Sequence, residues 1–469
     1  MKKYKEELIE LEVESIGFEG ISIARKNGQV YFVRGGLPGD IVLAQLKKKH
    51  KTYTEASIRT IIKPSNDRIE PFCKYFGACG GCSWQCLSYH KQLEWKKIQL
   101  VDAYKRIGKV DANIITDVVP ASKILHYRNK MDFSFSASRW LTTNEIETNQ
   151  EINKNFALGL HIPGRYDKVL DIECCKIQNP EWNEILDSIR TTAIEYKTTA
   201  FNTYKHTGFL KGLCLRYSAS NDETMCILIT TLPETEGDHK FLDWYKNNII
   251  LKFPKVTSVI HAINTKNSVN NGDINFIIGK NNLVENILGI EYQISPFSFF
   301  QTNSYQLDNF IDKIIQSAKL TTELTVWDLY CGTGSITLPA SKLCKDIYGV
   351  ELVESSIIDA RVNAKNNNIN NAFFYAADLH KTKIPDLLLK LPSPDVVIVD
   401  PPRSGMHPNL LNHLLDLSVD NLIYVSCNPA TQARDLSILS SKYKIREATP
   451  FDMFPHTYHI EVITALEKK

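Results

Sequence analysis

A chain of 469 residues is too long for one ordinary hydrophobic core and is expected to divide into domains. Its 43% hydrophobic and 23% charged residues exclude disorder as the main state. No window approaches the roughly 18 consecutive apolar residues of a membrane span. The opening Met1-Lys2-Lys3-Tyr4-Lys5-Glu6-Glu7 lacks the apolar stretch of a secretory signal, so a cytoplasmic protein with no membrane partner is expected, monomeric by default.

The net charge of +2 hides an asymmetry: residues 1–110 hold 20 Lys and Arg against 12 Asp and Glu. A basic first quarter suggests an anionic partner, and the run Lys47, Lys48, Lys49, His50 and Lys51 sharpens that suggestion, although a solvated hairpin tip would carry the same residues. The odd count of 11 cysteines argues against a simple disulfide framework. Cys73, Cys79, Cys82 and Cys86 fall within one short segment, which points to a metal.

Residues 8–63 alternate apolar and polar positions, as in Leu8-Ile9-Glu10-Leu11-Glu12-Val13, with turns at Gly35-Gly36 and Pro38-Gly39-Asp40. Short strands at this spacing suit an OB-like barrel, a nucleic-acid platform or else a protein-binding module. The cysteine segment follows Pro64 and Pro71, and Ser88 to Gly108 reads as a helix with a basic face. Residues 125–295 are mostly strand-like, interrupted by a helix near 181–197. From about residue 322 strands alternate with helices, with strands at 324–330, 347–351, 373–376, 395–400 and 421–426, the pattern of a doubly wound, largely parallel sheet.

The carboxyl edge of that sheet collects chemistry. Thr325-Val326-Trp327-Asp328-Leu329-Tyr330 runs into Cys331-Gly332-Thr333-Gly334, a turn that lets backbone approach a nucleotide-like ligand. Glu351 closes the next strand, where a carboxylate accepts from a ribose diol, and Asp378 follows the third, placed to accept from an adenine amine. Asp400-Pro401-Pro402-Arg403 follows the fourth strand, its prolines fixing the acid at the rim. Cys427, in Ser426-Cys427-Asn428-Pro429, ends the fifth; an ordinary buried cysteine would look the same, but the edge position makes it a candidate nucleophile. Glu461, in a late strand, is either a paired structural acid or a base facing the same pocket, with His456 and His459 as other possible bases.

Together these residues resemble the S-adenosylmethionine-dependent RNA uracil-C5 methyltransferases that carry a TRAM domain and an iron–sulfur cluster. Gly35-Gly36-Leu37-Pro38-Gly39-Asp40 is similar to the TRAM signature and Cys73-x5-Cys79-x2-Cys82 to the cluster motif. Phe300-Gln301-Thr302-Asn303, Asp328 to Gly334, Asp400 to Arg403 and Ser426 to Pro429, followed by His459-Ile460-Glu461, are similar to the catalytic motifs. The resemblance implies an α/β fold: a TRAM barrel (1–64), a β-rich central domain carrying the cluster segment (65–320) and a Rossmann-like class I methyltransferase domain (321–469). It implies S-adenosylmethionine held by Gln301, Tyr330, Glu351 and Asp378, with Asp400 between cofactor and base and Phe299 stacking on the base. It implies a [4Fe–4S] cluster on Cys73, Cys79, Cys82 and either Cys174 or Cys175, the pattern fitting Cys175-Lys176-Ile177 better; Cys86 leaves a local zinc site as the alternative.

The chemistry explains the cysteine and the base. Addition of Cys427 thiolate to uracil C6 makes C5 nucleophilic, and after methylation Glu461 removes the C5 proton. A paired base hides C5 and C6, so the target is single-stranded or flipped out, with Lys47, Lys48, Lys49 and Lys51 gripping backbone. Ribosomal RNA, as in the 23S enzymes, is the preferred substrate and transfer RNA the second. An RNA cytosine-C5 methyltransferase, an amino-methyltransferase, a radical S-adenosylmethionine enzyme and a non-catalytic RNA-binding protein are the rivals. Arg403 after Asp400-Pro401-Pro402 argues for uracil, and Cys79-x2-Cys82-x3-Cys86 reverses the radical-enzyme spacing.

Overall fold

The computed structural model describes residues 7–148, 152–266, 271–380 and 386–469; most of the opening segment read for a secretory signal, residues 1–6, lies outside them. Five strands, Leu8–Ile16, Ser22–Lys26, Gln29–Arg34, Ile41–Lys49 and Tyr53–Lys63, close into a barrel. Their alternation is the cause: Leu11, Val13, Ala24, Val33, Val42, Ala44 and Ala56 turn inward to one small core. The Gly35–Asp40 turn is locked by the buried Asp40 carboxylate, which accepts from Leu37 N (2.6 Å), Ser65 N (2.8 Å) and Arg68 Nη2 (2.5 Å). Burial alone would raise the Asp40 pKa, but Arg68 and the two amides hold it below the ordinary carboxylate value.

An eight-stranded mixed sheet spans Lys130–Ser136 to Asp273–Gly279. One face is covered by the helices Glu181–Glu195 and Glu236–Lys252, which bury Trp182, Ile185, Phe241 and Tyr245 against Phe133, Leu213 and Leu228. The second helix departs from the strand-like expectation for 125–295. A Thr235–Asp238 capping box starts it, and Phe241, Tyr245 and Ile249 make a narrow buried stripe that the β-branched run Ile249-Ile250 disguises. The other face shares a continuous core with the hairpin Leu283–Ile294, the helix Ser304–Ala318 and the last sheet.

That last sheet has seven strands, in the order Ala372–Ala376, Asp346–Glu351, Thr325–Leu329, Val396–Val399, Asn421–Ser426, Glu461–Lys468, Tyr443–Phe451. The first five are parallel and the last two antiparallel, as the alternating pattern leads one to expect. Its second face is covered partly by distant sequence. The helix Tyr89–Ala103 and the turn after it place Leu100 and Tyr104 against Ala433, Leu436 and Val462, and Ile115 bridges Ala448. Tyr104 Oη bonds Gln432 (2.9 Å) and Thr464 (2.7 Å) inside this layer.

Candidate active site

The rim of the seven-stranded sheet is built by strand ends whose geometry follows from their neighbours. Tyr330 adopts φ +68°, a strained value for a side-chain-bearing residue, and is held there by its N–H bond to Val350 O (2.8 Å). Gly332 (φ +54°) and Gly334 (φ +84°) continue the turn; a Cβ on Gly334 would meet Leu338 and Phe374 at 3.3 Å. Glu351 ties the next strand end to this loop, accepting from Gly332 N (3.2 Å), Leu352 N (2.8 Å) and Val353 N (3.0 Å). Asp378 accepts from His380 N (2.9 Å), and the Tyr330 hydroxyl is buried with no partner among the described residues.

The two loops expected to carry the reaction are bonded to each other. Asn428 caps the helix Pro429–Leu439 through Ala430 N (3.1 Å) while its Nδ2 donates to Arg403 O (2.9 Å). Thr431 Oγ1 donates to the same carbonyl (3.1 Å). Ser426 pairs with Val462 across the antiparallel strands, so the next position in register sets Cys427 beside Glu461. Asp400 and Arg403 complete the group around the Cys427 thiol.

The electrostatics of this group are those of buried acids short of positive charge. Burial, then Glu461 and Asp400, push the Cys427 thiol up to about 11, against the pull of Arg403. Burial and Asp400 push Glu461 well above the ordinary carboxylate range, and burial brings Asp400 to about 7. Asp328, brought to about 7 by burial with Asp400 and Glu351 adding, keeps Oδ2 on Thr337 Oγ1 (2.5 Å) while Oδ1 has no partner among the described residues. Asp400 thus acts on both Asp328 and Glu461 and links the acids of the rim into one group. His459 and His456 are pushed down to about 4, foremost by burial, which leaves them neutral and weakly basic at neutral pH.

The segment 295–303 reaches the rim from the central sheet. Arg216 holds its carbonyls at Ser295, Pro296 and Ser298, Asn129 holds Gln301 O (2.8 Å), and Asn303 Nδ2 donates to Met453 O (3.0 Å). Of the two adjacent aromatics, Phe300 is core, packed near Tyr292, whereas Phe299 is 65% exposed. Lys47, Lys48, Lys49 and Lys51 are exposed around the hairpin between two barrel strands, away from the barrel residues Ile16–Glu19 that approach Cys427. Sequence reasoning did not single out Asp328 as a site residue; an acid inside an otherwise apolar buried strand was the available signal.

A second center lies at the cysteine segment. Cys73, Cys79, Cys82, Cys174 and Cys175 line one cavity of about 290 Å³ with Arg128 and His161. Burial pushes Cys82 up to about 12 and Cys175 to about 11, and the neighbouring thiols, Cys79 and Cys73 for each, add to both. Cys86 is elsewhere, packed with Ile16, Leu37, Trp84 and Leu87. Among the described residues no three His, Cys, Asp or Glu side chains are grouped for a single metal ion. Thiols spread around a cavity fit a larger inorganic group than one ion.

The doubly wound sheet with its glycine turn and acidic rim is that of a methyltransferase of the S-adenosylmethionine-dependent class. Residues 275–469 match the family model described as tRNA (Uracil-5-)-methyltransferase, and residues 2–58 match the TRAM domain. An uncharacterized RNA methyltransferase of Bacteroides thetaiotaomicron is 39% identical over 454 residues, covering 96% of this chain and 99% of that protein. One from Caldanaerobacter subterraneus is 34% identical, covering 99% of each. The crystal structure of Pyrococcus abyssi tRNA (uracil-54, C5)-methyltransferase in complex with S-adenosyl-L-homocysteine superposes with a TM-score of 0.75 at 28% identity, covering 98% of this chain and 100% of that one. The chain belongs to the RNA (uracil-5-)-methyltransferase family, in a form that carries a TRAM domain, and it is an S-adenosylmethionine-dependent enzyme. Among the described residues no helix is long and apolar enough to cross a membrane.

Proposed function

We propose that the enzyme methylates C5 of a uridine in ribosomal RNA through a covalent bond between Cys427 and uracil C6. The observation that carries this reading is the placement of Cys427 beside Glu461, Asp400 and Arg403 on the rim of the methyltransferase sheet. S-adenosylmethionine supplies an electrophilic methyl group on a positively charged sulfur. Tyr330, Glu351, Asp378 and Gln301 hold it, and Asp328 and Asp400 favour its charge.

Arg403 draws the Cys427 thiol toward thiolate, its proton leaving to solvent, and a bound sulfonium would add to that pull. The thiolate adds to C6, moving the ring electrons so that C5 becomes the nucleophile that accepts the methyl group. Phe299, exposed beside the anchored Gln301, stacks on the flipped base and keeps C5 in line. Glu461 takes the C5 proton as its carboxylate, a form that burial and Asp400 oppose and that Arg403, together with a bound cation, would restore; once formed it is a stronger base than either neighbouring histidine. The electrons left on C5 reform the C5–C6 double bond and expel Cys427.

Cys73, Cys79, Cys82 and Cys175 would hold a [4Fe–4S] cluster, which would link the 73–82 segment to the loop at 175. The cavity among them and the separation of Cys86 support a cluster over a local zinc site. The barrel, with Lys47 to Lys51, would grip RNA backbone. Transfer RNA is the second reading, favoured by likeness to the Pyrococcus abyssi enzyme.

The test is mass spectrometry of RNA incubated with methyl-labelled S-adenosylmethionine. Labelled 5-methyluridine from wild type and none from Cys427→Ala is expected, and the labelled fragment identifies the RNA. Label on another nucleoside, or undiminished product from Cys427→Ala, would overturn the mechanism.

A further inference from the structure

A cavity of about 380 Å³ opens beside Cys427, between three parts of the chain that are far apart in sequence. The barrel contributes Phe18 and Glu19, the helix Tyr89–Ala103 and its following turn contribute Gln99, Asp102 and Ile107, and the C-terminal loop contributes Tyr458. Cys427 and Arg403 line it, whereas Glu461, Asp400, Gln301 and Phe299 do not. For scale, a dry cavity of about 150 Å³ holds a benzene ring.

Resting on the reading that Cys427 bonds the target uracil of an RNA strand, we infer that this cavity binds the base of the nucleotide joined directly to the target uridine. A strand whose uracil C6 touches Cys427 must pass the opening, because the thiol stands in the cavity wall. The apolar walls suit a base. Phe18 is 52% exposed and Ile107 45% exposed, so two apolar faces stand in water until a flat ring covers them. Arg106, paired with Asp102 at 3.3 Å, and Arg403 balance the charge of Glu19 and Asp102, so the acids can accept from the N–H groups of a base edge while the arginines admit the backbone phosphate beside it. Gln99 Nε2 is shielded from solvent with no partner among the described residues, a donor that a ring nitrogen or carbonyl of a base satisfies. The three walls are held in register: Tyr458 packs in the cluster of Ile16 and Trp84, and a Cβ on Gly20 would lie 3.0 Å from Tyr458. The barrel thereby reads the strand beside the reaction center as well as gripping its backbone.

The test replaces Phe18 with the photo-crosslinking residue p-benzoylphenylalanine. The enzyme is incubated with total RNA and methyl-labelled S-adenosylmethionine, irradiated, and the attached nucleotide mapped. Attachment to the nucleotide bonded directly to the labelled 5-methyluridine is expected. Attachment confined to nucleotides further along the strand, or no attachment to RNA that the same protein methylates, would overturn the inference. Phe18→Ala is expected to raise KM for that RNA roughly 5- to 150-fold, the range given by about 1–3 kcal/mol for one base–aromatic stack. Ile107→Ser, on the opposite wall, is expected to act in the same direction, and unchanged KM in both variants would also overturn it. Absence of 5-methyluridine from the wild-type reaction is a different result, and it would overturn the function on which the inference rests.

Discussion

Cys427 sits in surroundings that hold it protonated, with burial, Glu461 and Asp400 opposing Arg403. Below a pKa of about 11 the thiolate fraction rises tenfold per pH unit, so alkylation of Cys427 by iodoacetamide in the enzyme free of S-adenosylmethionine is expected to climb steadily from pH 7 to pH 10. Removing the one favourable charge with Arg403→Met raises that pKa further and should slow alkylation at every pH in this range; a faster reaction would contradict the electrostatic account. In the proposed mechanism Glu461→Gln removes the proton acceptor that acts after methyl transfer. It is expected to lower kcat by about 10²- to 10⁴-fold and to accumulate a denaturation-stable protein–RNA complex, read on a gel. The strand-end positions of Cys427, Glu461, Asp400 and Glu351 were legible because strand ends can be counted from an apolar run and its terminator. The contrast between Phe299 and Phe300 was not, since both are aromatic neighbours and the packing of Phe300 with Tyr292, which leaves Phe299 exposed, is set across the fold.

At the scale of elements, the cysteine segment and the loop leading to Glu461 form one brace. Ser83 N and Trp84 N both donate to His456 O at 2.9 Å, Gln92 Oε1 accepts from His456 N (2.8 Å), and Tyr127 Oη donates to Pro455 O (3.2 Å). Lys96 and Asp452, both fully buried, pair at 2.6 Å beneath this loop. Lys96→Met leaves Asp452 buried without its cation and is expected to cost about 3–5 kcal/mol, measured as a lower denaturant midpoint. Substituting both residues by apolar ones should restore much of that loss. Cys82→Ser is expected to yield protein without bound iron or acid-labile sulfide and with faster amide exchange at residues 455–460; normal iron content would remove Cys82 from the ligand set. The barrel and the five parallel strands were legible from period and turn chemistry alone. The helix Glu236–Lys252 was not, because its buried stripe is one residue wide and its end is β-branched.

For the whole molecule, His261, His456 and His459 are each pushed down to about 4, with burial the first cause. Unfolded histidine titrates near 6.5, so between about 6.5 and 4 the unfolded chain binds protons that the native chain does not. The stability these histidines contribute is therefore full above that window and lost as pH falls through it. Asp328 and Asp400, raised to about 7, and Glu461, raised well above the ordinary carboxylate range, act with the opposite sign over the same window, so the histidine contribution is read by difference: relative to wild type, His261→Asn, distant from the rim, is expected to gain melting temperature as pH falls from 7 to 5. The division into barrel, central sheet and methyltransferase sheet was visible in sequence as changes of hydrophobic period. That the helix Tyr89–Ala103 packs on the last sheet was not visible, because its partners lie in another third of the chain.

That long-range packing also sets an order in time. Lys96 and Asp452 are 356 residues apart, and synthesis at about 5–20 residues per second places roughly 20–70 s between their emergence from the ribosome. Throughout that interval the helix carries a solvated cation and an apolar face with no sheet to cover it. The reaction pocket closes only when the final strand, Glu461–Lys468, has been made and inserted between its two neighbours. A nascent chain can thus display a finished barrel well before it can methylate, and the strand Glu461–Lys468 decides when the enzyme begins to exist.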